Sequence, residues 1–436
     1  MFQDFIYLLI ICFVYFCIGR LCISFSEKEH SSQKIIIKIF NYSFFLYSIY
    51  FFLCFFTHSE DAFSKYPTTF ADSIKLYEFA VDLSEFPFPE NIKEAFSDFV
   101  YSELPGAVTL FTLQLSLAKM LFELSAEGEL YAIIAGVSFC AALIPTFIGK
   151  TLDELDLLNK KTGREICIFA TFSFVLYYSA FLMRDIHVML LYTLLVYLFS
   201  RKECTFRYIY IVIVTALLFS FRIENGMFAF AYSGAYIYCR RLSSVSRNWK
   251  ILIFTLFAGL GVLTFCLVYK EMFSVLQRYN ERSLDAASTD SFGAKIATKV
   301  PFPLNYIFLT AFSQILPFPI YHFAGLAHTN VLIHSVTIFT PFYWFYIMYV
   351  TLKDYYYSCE KKVLWGYFLL ISGLYLFLTS IGEFNPRRQM AVYPFILVSY
   401  FYYSRTDTVL SKRKSFFYTL AILLFLHLVY YLLKMN

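Results

Sequence analysis

The sequence predicts an all-α fold, a polytopic transmembrane helical bundle, and three observations carry that expectation. Of 436 residues, 59% are hydrophobic and only 15% are charged, against about 25% charged in soluble domains. Mean hydropathy is +0.61. Apolar runs of spanning length recur along the chain, with basic residues gathered in the short segments between them. Residues 1–436 therefore read as a single integral membrane domain of about 11–14 spans, with two larger outer loops, 58–105 and 270–330, that carry interfacial helices.

A spanning helix needs about 20 apolar residues. Runs that meet this length are 5–23, 36–57, 106–125, 130–149, 166–183, 251–269, 331–352, 363–381 and 415–433. Shorter runs at 186–200, 208–221, 227–239 and 389–403 can span only by drawing flanking polar residues into the membrane. Met1-Phe2-Gln3-Asp4 lacks the basic start of a signal peptide, so the first run is expected to be a retained helix.

Lys and Arg set the orientation. The basic segments Lys28 to Lys38, Lys160 to Arg164, Arg201 to Arg207, Arg240 to Lys250, Lys353 to Lys362 and Arg405 to Lys414 are assigned to the cytoplasm. Segments 58–105, 184–187, 222–226, 270–330 and 382–388 then face outward. Two apolar runs lie between 58–105 and 150–165 where an odd number is required, so one of 106–125 and 130–149 is expected to be re-entrant or the N-terminal pair inverted. Net charge is +5, spread over these loops as a topology signal, and no nucleic-acid surface is expected. Ten Cys fall mostly in apolar runs or basic loops, with no C-x-x-C pair, so neither a disulfide framework nor a zinc site is expected.

The loop 58–105 holds three Lys against ten Asp or Glu. Within it Phe70, Ile74, Tyr77 and Val81 share one helical face, and Asp72, Lys75, Glu78 and Asp82 the other, the pattern of a helix lying on a membrane. In the loop 270–330 the stretch Asn305 to Ile315 is apolar and bracketed by Pro301, Pro303, Pro317 and Pro319, which reads as a re-entrant or interfacial helix.

Charge inside so apolar a chain is costly, so its placement is informative. Met183-Arg184-Asp185-Ile186-His187 reads either as a self-paired turn or as an anion site, since Arg presents a planar fork to phosphate oxygens. Phe221-Arg222-Ile223-Glu224-Asn225-Gly226 reads as a capped turn or the wall of a polar cavity. Glu383 to Gln389 carries adjacent Arg387 and Arg388 on the outer side, against the positive-inside trend, which a bound phosphate or pyrophosphate would offset. Asp61, then Asp72, are the leading carboxylates for a general base, with Glu224 in the second cluster; His322 and His328 flank the Pro317-Phe318-Pro319 corner and are further candidates for proton transfer.

These clusters, in this order, resemble bacterial membrane polysaccharide enzymes: the repeat-unit polymerases of O-antigen, capsule and exopolysaccharide assembly, and the polyprenyl-dependent glycosyltransferases of GT-C architecture. The resemblance is carried by Glu60-Asp61, by Tyr178-Ser179 before Arg184-Asp185, by Arg222 with Glu224, by Leu316-Pro317-Phe318-Pro319, and by Asn385 to Pro394. It implies polymerisation of undecaprenyl-pyrophosphate-linked oligosaccharide repeats on the outer face of a bacterial cytoplasmic membrane. Arg184, Arg222, Arg387 and Arg388 would contact the pyrophosphate, and Asp61, Asp72, Glu224 or His322 would supply the base. The implied partners are a lipid-linked donor and acceptor and membrane lipids, with a chain-length regulator as an optional further one; no cofactor or metal is implied. A transferase adding one sugar from a polyprenyl phosphate, and a transporter or flippase of lipid-linked sugars, are the alternatives.

Overall fold

The computed structural model describes residues 2–24, 30–58, 67–87, 90–97, 105–202, 206–242, 339–358, 364–382, 386–406 and 409–435, with single positions at 255, 301, 304, 307, 310 and 314. Among the described residues all regular structure is helical. The expected helices at 251–269 and 305–315, and nearly all of the loop 270–330, lie outside them. The chain forms two compact units, one within Met1–Gly226 and Pro319–Tyr343, the other within Met227–Phe318 and Trp344–Asn436.

Unit 1 holds α1 (Phe2–Ser24), α2 (His30–His58), α3 (Pro67–Ser84), α4 (Glu90–Ser97), α5 (Pro105–Leu121), α6 (Ala126–Glu154), α7 (Lys160–Thr171), α8 (Phe174–Tyr178), α9 (Arg184–Ser200) and α10 (Arg207–Phe221). The helix α11 (Ile223–Ile237) begins in unit 1 and continues into unit 2 past Gly226. Stretches within α1, α2 and α6 are long and apolar enough to cross a membrane, and α10 is a shorter apolar helix. Phe13, Val14 and Leu21 of α1, and Val212, Ile213 and Leu217 of α10, are exposed, so these helices turn apolar side chains outward. A helix apolar on its outer face suits lipid and not water, which places the chain in association with a membrane.

The long helix α6 is the axis of unit 1; α1, α2, α5 and α9 all pack on it. Ser125 caps its start by accepting a hydrogen bond from the Gly128 N–H at 3.1 Å. Asp4 binds the cap in turn, accepting from the Ser125 N–H and hydroxyl, each at 3.1 Å. A carboxylate at a helix N-terminus meets both the unpaired N–H groups and the positive end of the dipole. The far end closes with Asp156 in the left-handed region, φ 57°, and the Leu157 N–H returning to the Leu152 carbonyl at 2.8 Å. Asn159 then opens α7 with a capping box to Thr162. The expected cytoplasmic loop 150–165 is thus a tight corner flanked by helix on both sides.

Distances fix how the other helices lie along α6. Lys119 pairs with Glu129 at 3.2 Å, and any side chain on Gly136 would meet Gln114, so α5 runs antiparallel to α6. At the helical rise, its start at Gly106 falls roughly level with Ala142 and Leu143. The helix α5 therefore lies beside only the first half of α6. The segment 166–183, expected as one span, is broken: α7 ends at Thr171, α8 is a single turn, and irregular chain covers 179–183. In α3 the buried face is Leu76, Ala80 and Leu83, packed toward α5, whereas Ile74, Tyr77 and Val81 are half-buried beside it. Lys75, Glu78 and Asp82 are exposed, as expected.

Unit 2 holds the rest of α11, α12 (Thr340–Tyr357) from Trp344 onward, α13 (Leu364–Gly382), the short α14 (Pro386–Gln389), α15 (Tyr393–Tyr403) and α16 (Val409–Met435). Its core is aromatic. Tyr232 stacks on Phe395 with ring centroids 3.7 Å apart, and its hydroxyl shares a 2.7 Å hydrogen bond with Ser372.

The cap analysis predicts that Asp4→Ala, which deprives the Ser125 N–H and hydroxyl of their acceptor, lowers stability by about 1–3 kcal/mol. Thermal unfolding in detergent measures this; Asp4→Asn should lose less, because it keeps one acceptor oxygen.

Candidate functional site

Four chain discontinuities of unit 1 meet at one level of α6. Phe147 of α6 faces Tyr197 of α9 with centroids 5.6 Å apart, and Glu154 lies 3.4 Å from the Lys202 N–H, so the two helices run parallel. Arg184, the first residue of α9, is then roughly level with Ala135. The α7–α8 break lies beside the middle of α2, where the Tyr47 hydroxyl donates to the Ala170 carbonyl at 3.1 Å and Tyr42 meets Thr171 at 2.7 Å. The start of α5 abuts the end of α10, where any side chain on Gly106 would collide with Ser220 and Phe221. These ends occupy a slab about 12 Å thick, between the levels of Ala135 and Leu143.

The charged residues sit in this slab. Arg184, Asp185, His187, Arg222 and Asn225 are all buried. Arg222 joins α10 to α11 in an extended conformation, φ −165° and ψ 135°. Its Nη1 lies 3.5 Å from Asp185 Oδ1, with both side chains 6% exposed. Asp185 occupies the first turn of α9, where the helix dipole favours a carboxylate, and Met183 supplies no side-chain cap there. One turn on, the His187 ring lies between Phe111 of α5, at 5.4 Å edge-on, and Phe221, at 6.1 Å and near parallel. The Tyr192 hydroxyl donates to the Asn225 carbonyl at 2.8 Å and ties α9 to the first turn of α11.

Two of the four expected arginines thus share one cluster, Arg222 reaching the chain neighbour of Arg184. Glu224 is half-buried in the first turn of α11, two residues from Arg222. Arg387 and Arg388 belong to unit 2, on α14. Arg388 is half-buried, and its carbonyl accepts from the Tyr375 hydroxyl at 3.2 Å. Asp72 lies on α3 with its side chain outside the described residues, as are Asp61 and His322 altogether. His187, Tyr192 and Asn225 received no role from the sequence. His187 carried a signal, being a titratable residue one turn from Arg184, whereas Tyr192 and Asn225 are identified by their contacts alone.

The turns 184–187 and 222–226 were expected at the outer edge of the bundle. Arg184 instead lies about 13 Å along α6 from its first residue, within the packed interior. Irregular backbone at such a level persists only where protein groups satisfy it or a polar cavity adjoins it. The cluster offers two guanidinium groups, one carboxylate and a helix N-terminus in an apolar surround, a combination able to hold a phosphate-type anion.

Comparison with protein-family models, curated proteins and solved structures finds no match to this chain.

A buried ion pair is damaged most by losing one member. Arg222→Ala and Asp185→Ala are each expected to cost roughly 3–5 kcal/mol, and Asp185→Leu with Arg222→Met much less than the two single losses added. A double-mutant cycle on unfolding in detergent gives the coupling; additive losses would show that the two side chains do not interact.

Proposed function

We propose that this chain is a multi-pass protein of a bacterial cytoplasmic membrane that polymerises undecaprenyl-pyrophosphate-linked oligosaccharide repeats on the outer face. The observation that carries the reading is the buried Arg222–Asp185 pair beside Arg184, in a unit that also holds the long apolar helices α1, α2 and α6. Charge so placed is expensive and is retained where it does chemistry or moves a substrate. The ordered clusters that resemble repeat-unit polymerases add to it, as does the second arginine pair, Arg387 and Arg388.

In this reading the hydroxyl oxygen of the acceptor saccharide attacks the anomeric carbon of the donor. The bond from that carbon to the pyrophosphate oxygen breaks, and undecaprenyl pyrophosphate leaves with the electron pair. Arg184 and Arg222 are one candidate pair to stabilise the negative charge that grows on the leaving group, and Arg387 and Arg388 are the other. A carboxylate takes the hydroxyl proton. Asp61 leads from the sequence, and Glu224 is the candidate whose backbone lies beside a site arginine. The lipid chain runs between helices, with membrane lipids around it.

Transfer of a single sugar from a polyprenyl phosphate uses the same groups and yields one addition. Movement of a lipid-linked sugar across the membrane is the second reading, favoured by the break in the chain between α7 and α9, because transporters build substrate sites from discontinuous helices. Proteoliposomes supplied with lipid-linked repeats separate the three. A ladder of products supports polymerisation, a single added sugar supports the transferase, and leaflet exchange without a new glycosidic bond supports transport.

The polymerase reading predicts that Arg387→Ala and Arg388→Ala leave membrane insertion and abundance unchanged but lower the polymerisation rate about 10²–10³-fold, so that surface glycan collapses toward single repeats on a gel. Wild-type ladder lengths in both variants would remove these residues from the site.

A further inference from the structure

We infer that Trp344, Gln314 and Gln389 are positioning residues that hold α14 so that Arg388 is aimed at the diphosphate of the substrate. This rests on the reading of Arg388 as a phosphate contact. The helix α14 has four residues, Pro386–Gln389. It runs without interruption through the 3-10 turn Met390–Val392 into α15, so its helical form is continuous with that helix, and two further ties fix its start against the rest of unit 2. The Tyr375 hydroxyl donates to the Arg388 carbonyl at 3.2 Å. Gln314 Nε2 donates to Gln389 Oε1 at 2.8 Å, and Gln314 Oε1 accepts from Trp344 Nε1 at 3.0 Å.

This relay is buried throughout: Trp344, Gln314 and Gln389 all lie in the interior of unit 2. It also has a fixed polarity. The indole N–H only donates. Gln314 must then present its oxygen to Trp344 and its amide NH2 to Gln389. Gln389 must present its oxygen in return, so its own NH2 is directed away from the relay. The start of the relay is fixed as well, because the Trp344 ring stacks on Tyr393 with centroids 3.5 Å apart. Gln314 comes from the second outer loop of the sequence reading, so the relay links that loop to the arginine pair.

The test uses the purified full chain in detergent, with inorganic pyrophosphate as the probe and the indole N–H signals of 15N-labelled tryptophan as the readout. The chain has three tryptophans, Trp249, Trp344 and Trp365, and Trp344→Phe assigns the signal. In the wild type, pyrophosphate should shift the Trp344 signal more than that of Trp365. Trp344→Phe removes the donor and part of the stacked ring; it should weaken pyrophosphate binding about fivefold, the worth of one hydrogen bond, and lower the unfolding temperature, because Gln314 loses its donor and the core loses volume. Arg388→Ala should remove the saturable binding. Wild-type affinity in Trp344→Phe would overturn the positioning role and leave the phosphate contact standing. Wild-type affinity in Arg388→Ala, or no binding to the wild type, would overturn both. If Trp344→Phe fails to fold, a Trp344 signal in the wild type that ignores saturating pyrophosphate overturns the proposal by itself.

Discussion

The constraint on which unit 1 depends is that helix ends buried in an apolar interior must find polar partners. A continuous helix satisfies its own backbone, but every end leaves N–H or C=O groups exposed. Here the start of α5, the end of α10, the α7–α8 break and the start of α9 come to one level beside α6. The polar side chains found there follow from that need. Tyr192 satisfies the Asn225 carbonyl, Tyr47 satisfies Ala170, and Asp185 sits at the positive end of α9. A charge introduced for the backbone then requires its own counterpart, and Arg222 is placed to answer Asp185 by the extended residue between two helices.

The same economy explains why α6 is the axis. Its start is closed by Ser125 together with Asp4 from α1, and its finish by its own backbone turning back at the Asp156 corner. Between them it presents small residues, among them Ala135, Gly136, Ala141 and Ala142, which are buried and let neighbours approach closely. Small interfaces bring helices together where the hydrophobic effect cannot, because lipid is as apolar as the core. Unit 2 solves the packing problem differently, by stacking large rings: Tyr232 on Phe395 and Trp344 on Tyr393. Tyr232 and Trp344 each bring a polar tip into the interior, bonded to Ser372 and Gln314 respectively.

Much of the helical pattern was legible because apolar run length and basic punctuation are strong signals; α1, α2, α6 and α13 lie close to the runs read for them. The break in 166–183 was not legible, because Phe172, Ser173, Ala180, Phe181 and Leu182 are as apolar or small as the helix around them. Only neighbours that accept the irregular backbone permit it, and those neighbours come from α2, more than a hundred residues earlier. The amphipathic face of α3 was read one step off, since the sequence shows which positions are apolar but not which of them α5 covers. Arg184, Asp185 and Arg222 stood out as charges in apolar surroundings. Gln314 did not, because a lone amide in an apolar stretch becomes informative only once Trp344 and Gln389 are seen on either side of it.

Depth is what separates the chemistry of a lipid diphosphate from that of a transported solute. The apolar part of α6, 130–149, measures about 30 Å, the thickness of a bilayer core. The polar ends Ala126 to Glu129 and Lys150 to Glu154 would extend into the headgroups on either side. On that scale the level of Ala135 lies about 7 Å inside the apolar boundary, far from the midplane at about 15 Å. An extended arginine side chain covers about that distance, and long basic side chains in membranes do reach to the interface in this way. A diphosphate anchored by its lipid sits at that boundary. Arg184 is rooted at that depth, whereas Arg222 follows Phe221 at the deeper end of α10 and reaches Asp185 from there.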